Sequence, residues 1–256
     1  MTIINLQGLA NLEGLLSTTT MTPQMYNIIL ADDHTMIREG IRSMLVNELR
    51  HNVIAQASNG RETIALVQQH KPDIVLMDIT MPELNGIEAT RHIINEFPDI
   101  KIIALSMHTD KGIVSGMLNA GASGYLLKDS SPAELQQAIQ TVMRGKIYIT
   151  GEITDVVVRD YIHNHNGTHT ATVPQLTPRE IEIIQLIAEG KASKDIASVL
   201  HISISTIDTH RQHIMDKLQL HSVADIVKFA IRTGLTTAEK QEARSKKQEA
   251  RSKKQE

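Results

Sequence analysis

The chain of 256 residues contains no cysteine. Disulfides and thiolate metal sites are therefore excluded, and a reducing cytoplasm is the natural setting. It also lacks any apolar run approaching the roughly 18–20 residues of a membrane span. The first 25 residues, MTIINLQGLANLEGLLSTTTMTPQM, have neither a basic stretch nor a continuous apolar core. They read as a flexible leader rather than a secretory signal, with Met21 and Met25 as alternative starts and the fold beginning at Tyr26. Net charge is small too, at −3. That small figure hides a division, because residues 26–150 are acidic, residues 176–236 balance, and the last twenty residues are basic. The basic end hints at a polyanion there without establishing one.

What the chain does have is a regular alternation. Strand-like apolar runs recur at Ile28–Ala31, Val53–Ala55, Ile74–Met77, Ile102–Leu105 and Tyr125–Leu127. Between them lie stretches of helical period. Met36, Ile37, Ile41, Met44 and Leu45 mark the first, and Ala133, Leu135, Ala138, Ile139 and Val142 the last. Five strands alternating with five helices predict one doubly wound parallel sheet of about 120 residues.

The strand ends carry the chemistry. The first strand runs into Asp32 and Asp33, the third into Asp78, the fourth into Ser106 and the fifth into Lys128. All fall at carboxyl ends, where open parallel sheets gather their ligands. Three crowded carboxylates repel one another unless a cation intervenes. With oxygen ligands only and room for water, Mg²⁺ is the sensible one. Lys128 can bind an anionic oxygen and Ser106 can hydrogen-bond a second. Together they make a site for phosphoryl transfer onto Asp78.

The strings ADDH, LMDITMPELNG, ALS and GYLLKD, in that order, closely resemble the receiver domain of bacterial two-component response regulators, a flavodoxin-like fold. The resemblance covers residues 26–146. It implies that Asp78 accepts phosphate from a sensor histidine kinase. It further implies that Asp33, Asp78 and the Thr80 carbonyl bind Mg²⁺, with Asp32 helping through water. Ser106 and Tyr125 would form the switch, the hydroxyl moving toward the phosphate and the ring turning inward. One departure stands out. Many receivers follow the lysine with a cis proline, whereas here Asp129 follows. A cis bond to a non-proline costs ~3–4 kcal/mol, so the loop is expected to be trans or strained. An alternative is a phosphatase similar to the haloacid-dehalogenase family, but that family needs a second acid two residues after the nucleophile, and Thr80 stands there.

Residues 147–175 read as a linker containing a short helix from about Glu152 to Ile162, with His163, His165 and His169 as solvated linker histidines. From Leu176 the pattern becomes fully helical. Thr177-Pro178-Arg179-Glu180 is a capping box with proline at the first helical position. Ile181, Ile184, Leu186 and Ile187 supply an apolar stripe, and Gly190 ends the helix. A second helix carries Ile196, Ala197, Val199 and Leu200. A third follows Ser203 with Ile207, Ile214 and Leu218 on one face, and a fourth starts at Ser222.

LTPREIEIIQLIAEGKASKDIA and ISTIDTHRQHIMDKLQLHS resemble the LuxR-type helix-turn-helix domain that ends regulators of the NarL/FixJ family, over residues 176–236. Ala192 stands where Ser or Thr commonly caps the second helix, costing ~1 kcal/mol unless Ser193 takes over. Ile204 stands where proline often opens the recognition helix. With Ile207 inward, Ser205, Asp208, Thr209 and Gln212 point outward as candidates for base edges. Lys194, Thr206, Arg211 and Lys217 lie where phosphates could be met. A helical protein-interaction module is the bland alternative, given the balanced charge. The tail, residues 237–256, repeats EARSKKQ without apolar heptad positions and reads as a solvated basic segment.

The expectation is thus a cytoplasmic transcription regulator, not a dedicated enzyme. Phosphate from the kinase would release its DNA-binding helices from the receiver, or dimerise it, on promoter DNA.

Overall fold

The computed structural model describes residues 24–107, 109–151, 153–154 and 176–236. The leader, the linker histidines, most of the expected linker helix and the basic tail lie outside these residues. Gly151, Ile153 and Thr154, at the start of that helix, are helical.

The strands are β1 (Asn27–Ala31), β2 (Asn52–Ala57), β3 (Ile74–Asp78), β4 (Lys101–Ser106), β5 (Gly124–Leu127) and β6 (Tyr148–Ile149). They form one sheet in the order β2-β1-β3-β4-β5-β6, and every pairing is parallel. The sixth strand corrects the expected count of five. Tyr148 and Ile149 pair with Gly124 and Tyr125, so two residues assigned to the linker extend the sheet edge.

Five helices follow β1 to β5: α1 (Thr35–Ser43), α2 (Gly60–His70), α3 (Gly86–Glu96), α4 (Lys111–Asn119) and α5 (Pro132–Met143). Side chains on a strand alternate between faces, and both faces here are apolar. Ile28, Leu30, Ile74, Leu76, Ile103 and Leu105 meet Ile41, Leu45, Leu135, Ala138, Ile139 and Val142 of the α1 and α5 side. Ile29, Ala31, Val75, Met77, Ile102 and Ala104 meet Val67, Ile93, Val114 and Met117 of α2, α3 and α4. One correction concerns α1: Met36, read as part of its apolar stripe, is 90% exposed. The core-facing positions of this segment are Ile41 and Leu45, the latter in a π turn over Met44–Glu48.

The strand order reverses direction between β1 and β3. Adjacent crossovers leave on opposite sides there, opening a crevice at the carboxyl ends. Asp32, Asp33 and Asp78 sit at that place.

The second unit contains α6 (Pro178–Ala188), α7 (Ser193–Leu200), α8 (Ile204–Leu218) and α9 (Val223–Arg232). The capping box at Thr177 and Glu180 forms in both directions. Ser203 and Ser222 cap α8 and α9 by accepting from Thr206 N and Asp225 N. Ala192 gives α7 no side-chain cap, and Ser193 does not replace it, since its hydroxyl turns to Asp208 at 3.3 Å. Ile183, Ile184, Leu186, Ile196, Leu200, Ile207, Ile214, Ile226 and Phe229 share one core.

Candidate functional site

Lys128 organises the acidic end of the sheet. Its Nζ lies 2.7 Å from Asp32 Oδ2 and 3.0 Å from Asp78 Oδ2, and its side chain is only 4% exposed. Burial alone would lower the lysine's pKa, but the Asp78 and Asp32 carboxylates outweigh that and hold it above the ordinary value. The ammonium is therefore charged across the physiological range, and it offsets two carboxylates in a place of low dielectric. Thr80 N approaches Asp78 Oδ1 at 3.4 Å. The Lys128–Asp129 bond is trans, and among the described residues no peptide bond is cis.

The donor set is one a hard cation would take. Oxygens of Asp32, Asp33 and Asp78, with a ring nitrogen of His34, lie within 4.8 Å of one another. Carboxylate oxygens brought this close suit an oxygen-liganded divalent ion such as Mg²⁺. The sequence reading assigned His34 no role. Its Nδ1 stands 3.0 Å from Asp33 Oδ1 and 3.3 Å from Asp32 Oδ1. Adjacency to paired acids at a strand end was the available signal. Arg38 was also passed over, although its guanidinium donates to the Asp32 carbonyl and to Gln56 Oε1.

Ser106 and Tyr125 are both buried. Burial pushes the Tyr125 phenol up to about 12, partly countered by its hydrogen bond with Ser106. The ring thus already occupies the inward position that the switch expectation assigned to the phosphorylated form.

The loop from Asp78 to α3 is tightly built. Gly86 N donates to the Ile79 carbonyl at 2.8 Å, and a Cβ on Gly86 would lie 2.1 Å from the Asp78 carbonyl oxygen. Only glycine lets the backbone approach so closely. Asn85 caps α3 by accepting from Glu88 N.

On the helical unit, Ser205, Asp208, Thr209 and Gln212 are exposed on α8, as is Lys194 on α7, while Thr206, Arg211 and Lys217 are half-buried. Several are already engaged. Asp208 pairs with Arg211 at 3.3 Å and accepts from Ser193. Gln212 donates to Asp216 at 2.9 Å. Thr206 and Ser205 hydroxyls both meet Ser203. Lys217 Nζ donates to Glu180 at 2.8 Å, from a side chain that is 30% exposed.

The receiver contacts the helical unit on one side. Contact runs through α6: Arg61 Nη2 meets Glu182 Oε1 at 3.0 Å, and Gln185 engages Met81 and Asn85. The outward face of α8 stays open.

The comparisons with known proteins bear on both halves. The family model for the response regulator receiver domain matches residues 28–140. That for bacterial regulatory proteins of the luxR family matches residues 174–230. Transcriptional regulatory protein DegU of Brevibacillus brevis is 34% identical over 220 residues, covering 81% of this chain and 93% of its own length. Oxygen regulatory protein NreC of Staphylococcus carnosus is 37% identical over 212 residues, with 81% and 98% covered. The chain is a LuxR-type response regulator.

Solved structures similar to this regulator include a LuxR-family two-component response regulator from Aurantimonas, at 36% identity and a TM-score of 0.52, over 54% of this chain and 99% of that one. RcsB of Salmonella enterica serovar Typhimurium, bound to a promoter in the presence of the phosphomimetic BeF₃⁻, is 26% identical with a TM-score of 0.51, over 80% and 98%. The regulator pairs a receiver with a DNA-binding unit. Among the described residues, no helix is long and apolar enough to cross a membrane.

Proposed function

We propose that the regulator accepts a phosphoryl group on Asp78 from a sensor histidine kinase and that phosphorylation governs how its helical unit binds promoter DNA. The observation that carries this reading is the ammonium of Lys128 between Asp32 and Asp78. A buried ammonium beside Asp78 is a cation that the oxygens of an incoming phosphoryl group can meet. Asp78 Oδ attacks phosphorus, the phosphorus–nitrogen bond of the donor's phosphohistidine breaks, and the imidazole leaves with the electron pair. Lys128 then turns from the carboxylates to a phosphoryl oxygen, and Ser106 donates to another. Asp33, Asp78 and the Thr80 carbonyl, with Asp32 through water, would hold Mg²⁺, which would neutralise phosphoryl charge. Hydrolysis of the acyl phosphate by water resets the site, so the chain turns over only its own phosphate.

The added charge of about −1.5 to −2 sits at the start of the loop that touches α6. Ser205, Asp208, Thr209 and Gln212 read bases, and Lys194, Thr206, Arg211 and Lys217 meet phosphates. A unit of balanced charge binds DNA weakly alone, so two copies on paired half-sites supply the affinity. The setting is the cytoplasm, where kinase and promoter are both reached.

The test is to sequence genomic DNA captured by the chain after treatment with a small phosphodonor, alongside the Asp78→Asn variant. A paired motif enriched only in the phosphorylated sample is expected. Equal enrichment in both samples overturns the dependence on phosphate.

A further inference from the structure

Ile204 opens α8 and is 47% exposed. Among the described residues it is the one large apolar side chain of that helix that is exposed. Ile207, Ile214, Met215 and Leu218 all belong to the core of the unit. The local packing does not need Ile204 either. Ile202, just before the Ser203 cap, and Ile207, at the fourth helical position, both join that core, and they are the two positions that ordinarily staple a helix start. A lone exposed isoleucine is common on protein surfaces. Its place and its neighbours single this one out.

The polar groups around it are already engaged. Ser203 Oγ accepts from Thr206 N at 3.1 Å and lies 2.8 Å from both the Ser205 and the Thr206 hydroxyl. Thr209 Oγ1 donates to the Ser205 carbonyl at 3.0 Å. Asp208 meets Arg211 and Ser193, each at 3.3 Å. Residues four apart share a helix face, so Ile204 continues the outward row of Asp208 toward the start of the helix. In a helix-turn-helix, the N-terminal residues of the second helix lie against base edges. The major groove presents polar groups from every base pair and one apolar group, the C5-methyl of thymine. Isoleucine against a polar edge would desolvate that edge without return. The thymine methyl is the surface it fits.

We infer that Ile204 is a specificity-determining residue that packs on the C5-methyl of a thymine in the major groove. One helical turn rises about 5.4 Å and one base pair about 3.4 Å, which puts that thymine within about two base pairs of the base met by Asp208. This inference rests on the reading of α8 as the helix that meets bases, and goes beyond it by assigning one base through an apolar contact.

The test begins with duplexes carrying a random central segment, selected with the full chain after treatment with acetyl phosphate and Mg²⁺. The enriched sequence is made with a fluorescent end label, and each thymine is replaced in turn by uracil. That exchange removes the methyl and keeps the hydrogen-bonding groups of the base. Binding is followed by anisotropy at one fixed salt concentration. Uracil at one thymine should weaken the parent about 4-fold, the effect of leaving one apolar carbon uncovered. Ile204→Ala should bind the thymine duplex weaker by at least that factor and should no longer distinguish uracil from thymine there. Its circular dichroism and the slope of its salt dependence should match the parent, because neither core nor phosphate contacts change. An enriched sequence without thymine, tolerance of uracil at every thymine, or a uracil effect that persists in Ile204→Ala overturns the contact. Gln212→Ala on the same duplexes separates the two readings. An altered base preference in that variant keeps α8 as the reading helix even where the Ile204 contact fails. No enriched sequence, or an unchanged base preference in both variants, overturns both.

Discussion

Replacing Lys128 with methionine removes one charge from a buried set of three. The methionine fills nearly the same volume, so the effect is electrostatic rather than a cavity. In the parent chain, Nζ sits at 2.7 and 3.0 Å from the Asp32 and Asp78 carboxylates, and all three side chains are at most 6% exposed. Breaking a buried ion pair by removing one partner costs ~3–5 kcal/mol, because the remaining charge is stranded without water. Here two carboxylates are stranded, so the upper part of that range is expected in the presence of EDTA. A divalent cation can take the ammonium's place, and binding to the folded state stabilises by RT ln(1 + [L]/Kd). Mg²⁺ should therefore stabilise Lys128→Met more than the parent, narrowing the gap between them. The assay is urea unfolding followed by circular dichroism, with and without saturating Mg²⁺. A loss below about 1 kcal/mol in EDTA, the range of an exposed ion pair, would refute the placement of Lys128. So would an equal Mg²⁺ increment in both proteins.

Three further outcomes follow from the packing. Gly86→Ala forces a Cβ onto the Asp78 carbonyl; the backbone must move, costing about 3 kcal/mol or more, and phosphorylation should fall with stability, as intact mass and a melting curve will show. Glu180→Gln keeps an acceptor for the Thr177 N–H but removes the carboxylate charge that meets Lys217, and should cost ~0.5–1 kcal/mol at neutral pH. Burial alone would raise the Glu180 pKa, but hydrogen bonds from Lys217 and Thr177 hold it below the ordinary value. Its contribution is thus present above the unfolded pKa of about 4.5 and is lost as pH falls through the depressed folded value, so parent and variant melting temperatures should converge in acid. Asp208→Ala frees Arg211 and should strengthen nonspecific DNA binding. If Asp208 accepts from a cytosine amino group, the variant also loses ~1–3 kcal/mol of discrimination at one position, and an unchanged base preference across a site library would leave it only a structural role beside Arg211 and Ser193.

The site was legible where chemistry and periodicity coincide. Each strand run that ends in Asp, Ser or Lys forms a strand, and those side chains converge because parallel strands share one carboxyl edge. β6 was not legible. Tyr148 and Ile149 carry no periodicity of their own, and only the edge left by β5 makes a strand of them. Met36 misled for the opposite reason: it fits the period of α1, but the helix buries Ile41 and Leu45 instead. The docking of α6 was the least visible feature. A glutamine on an amphipathic helix reads as solvent-facing, and Gln185 is buried only because Met81 and Asn85 offer its amide both kinds of partner. Ala192 was read correctly as a missing cap, while the neighbour suggested as its substitute, Ser193, is drawn to Asp208 by a tertiary contact that no local pattern encodes.

The most direct measurement is the intact mass of the chain after treatment with acetyl phosphate and Mg²⁺, for the parent and for Asp78→Asn. The parent should gain one phosphate that survives acid and is released by base, as an acyl phosphate is, and Asp78→Asn should gain none. Labelling that persists undiminished in Asp78→Asn would contradict the assignment of Asp78 as the phosphoacceptor.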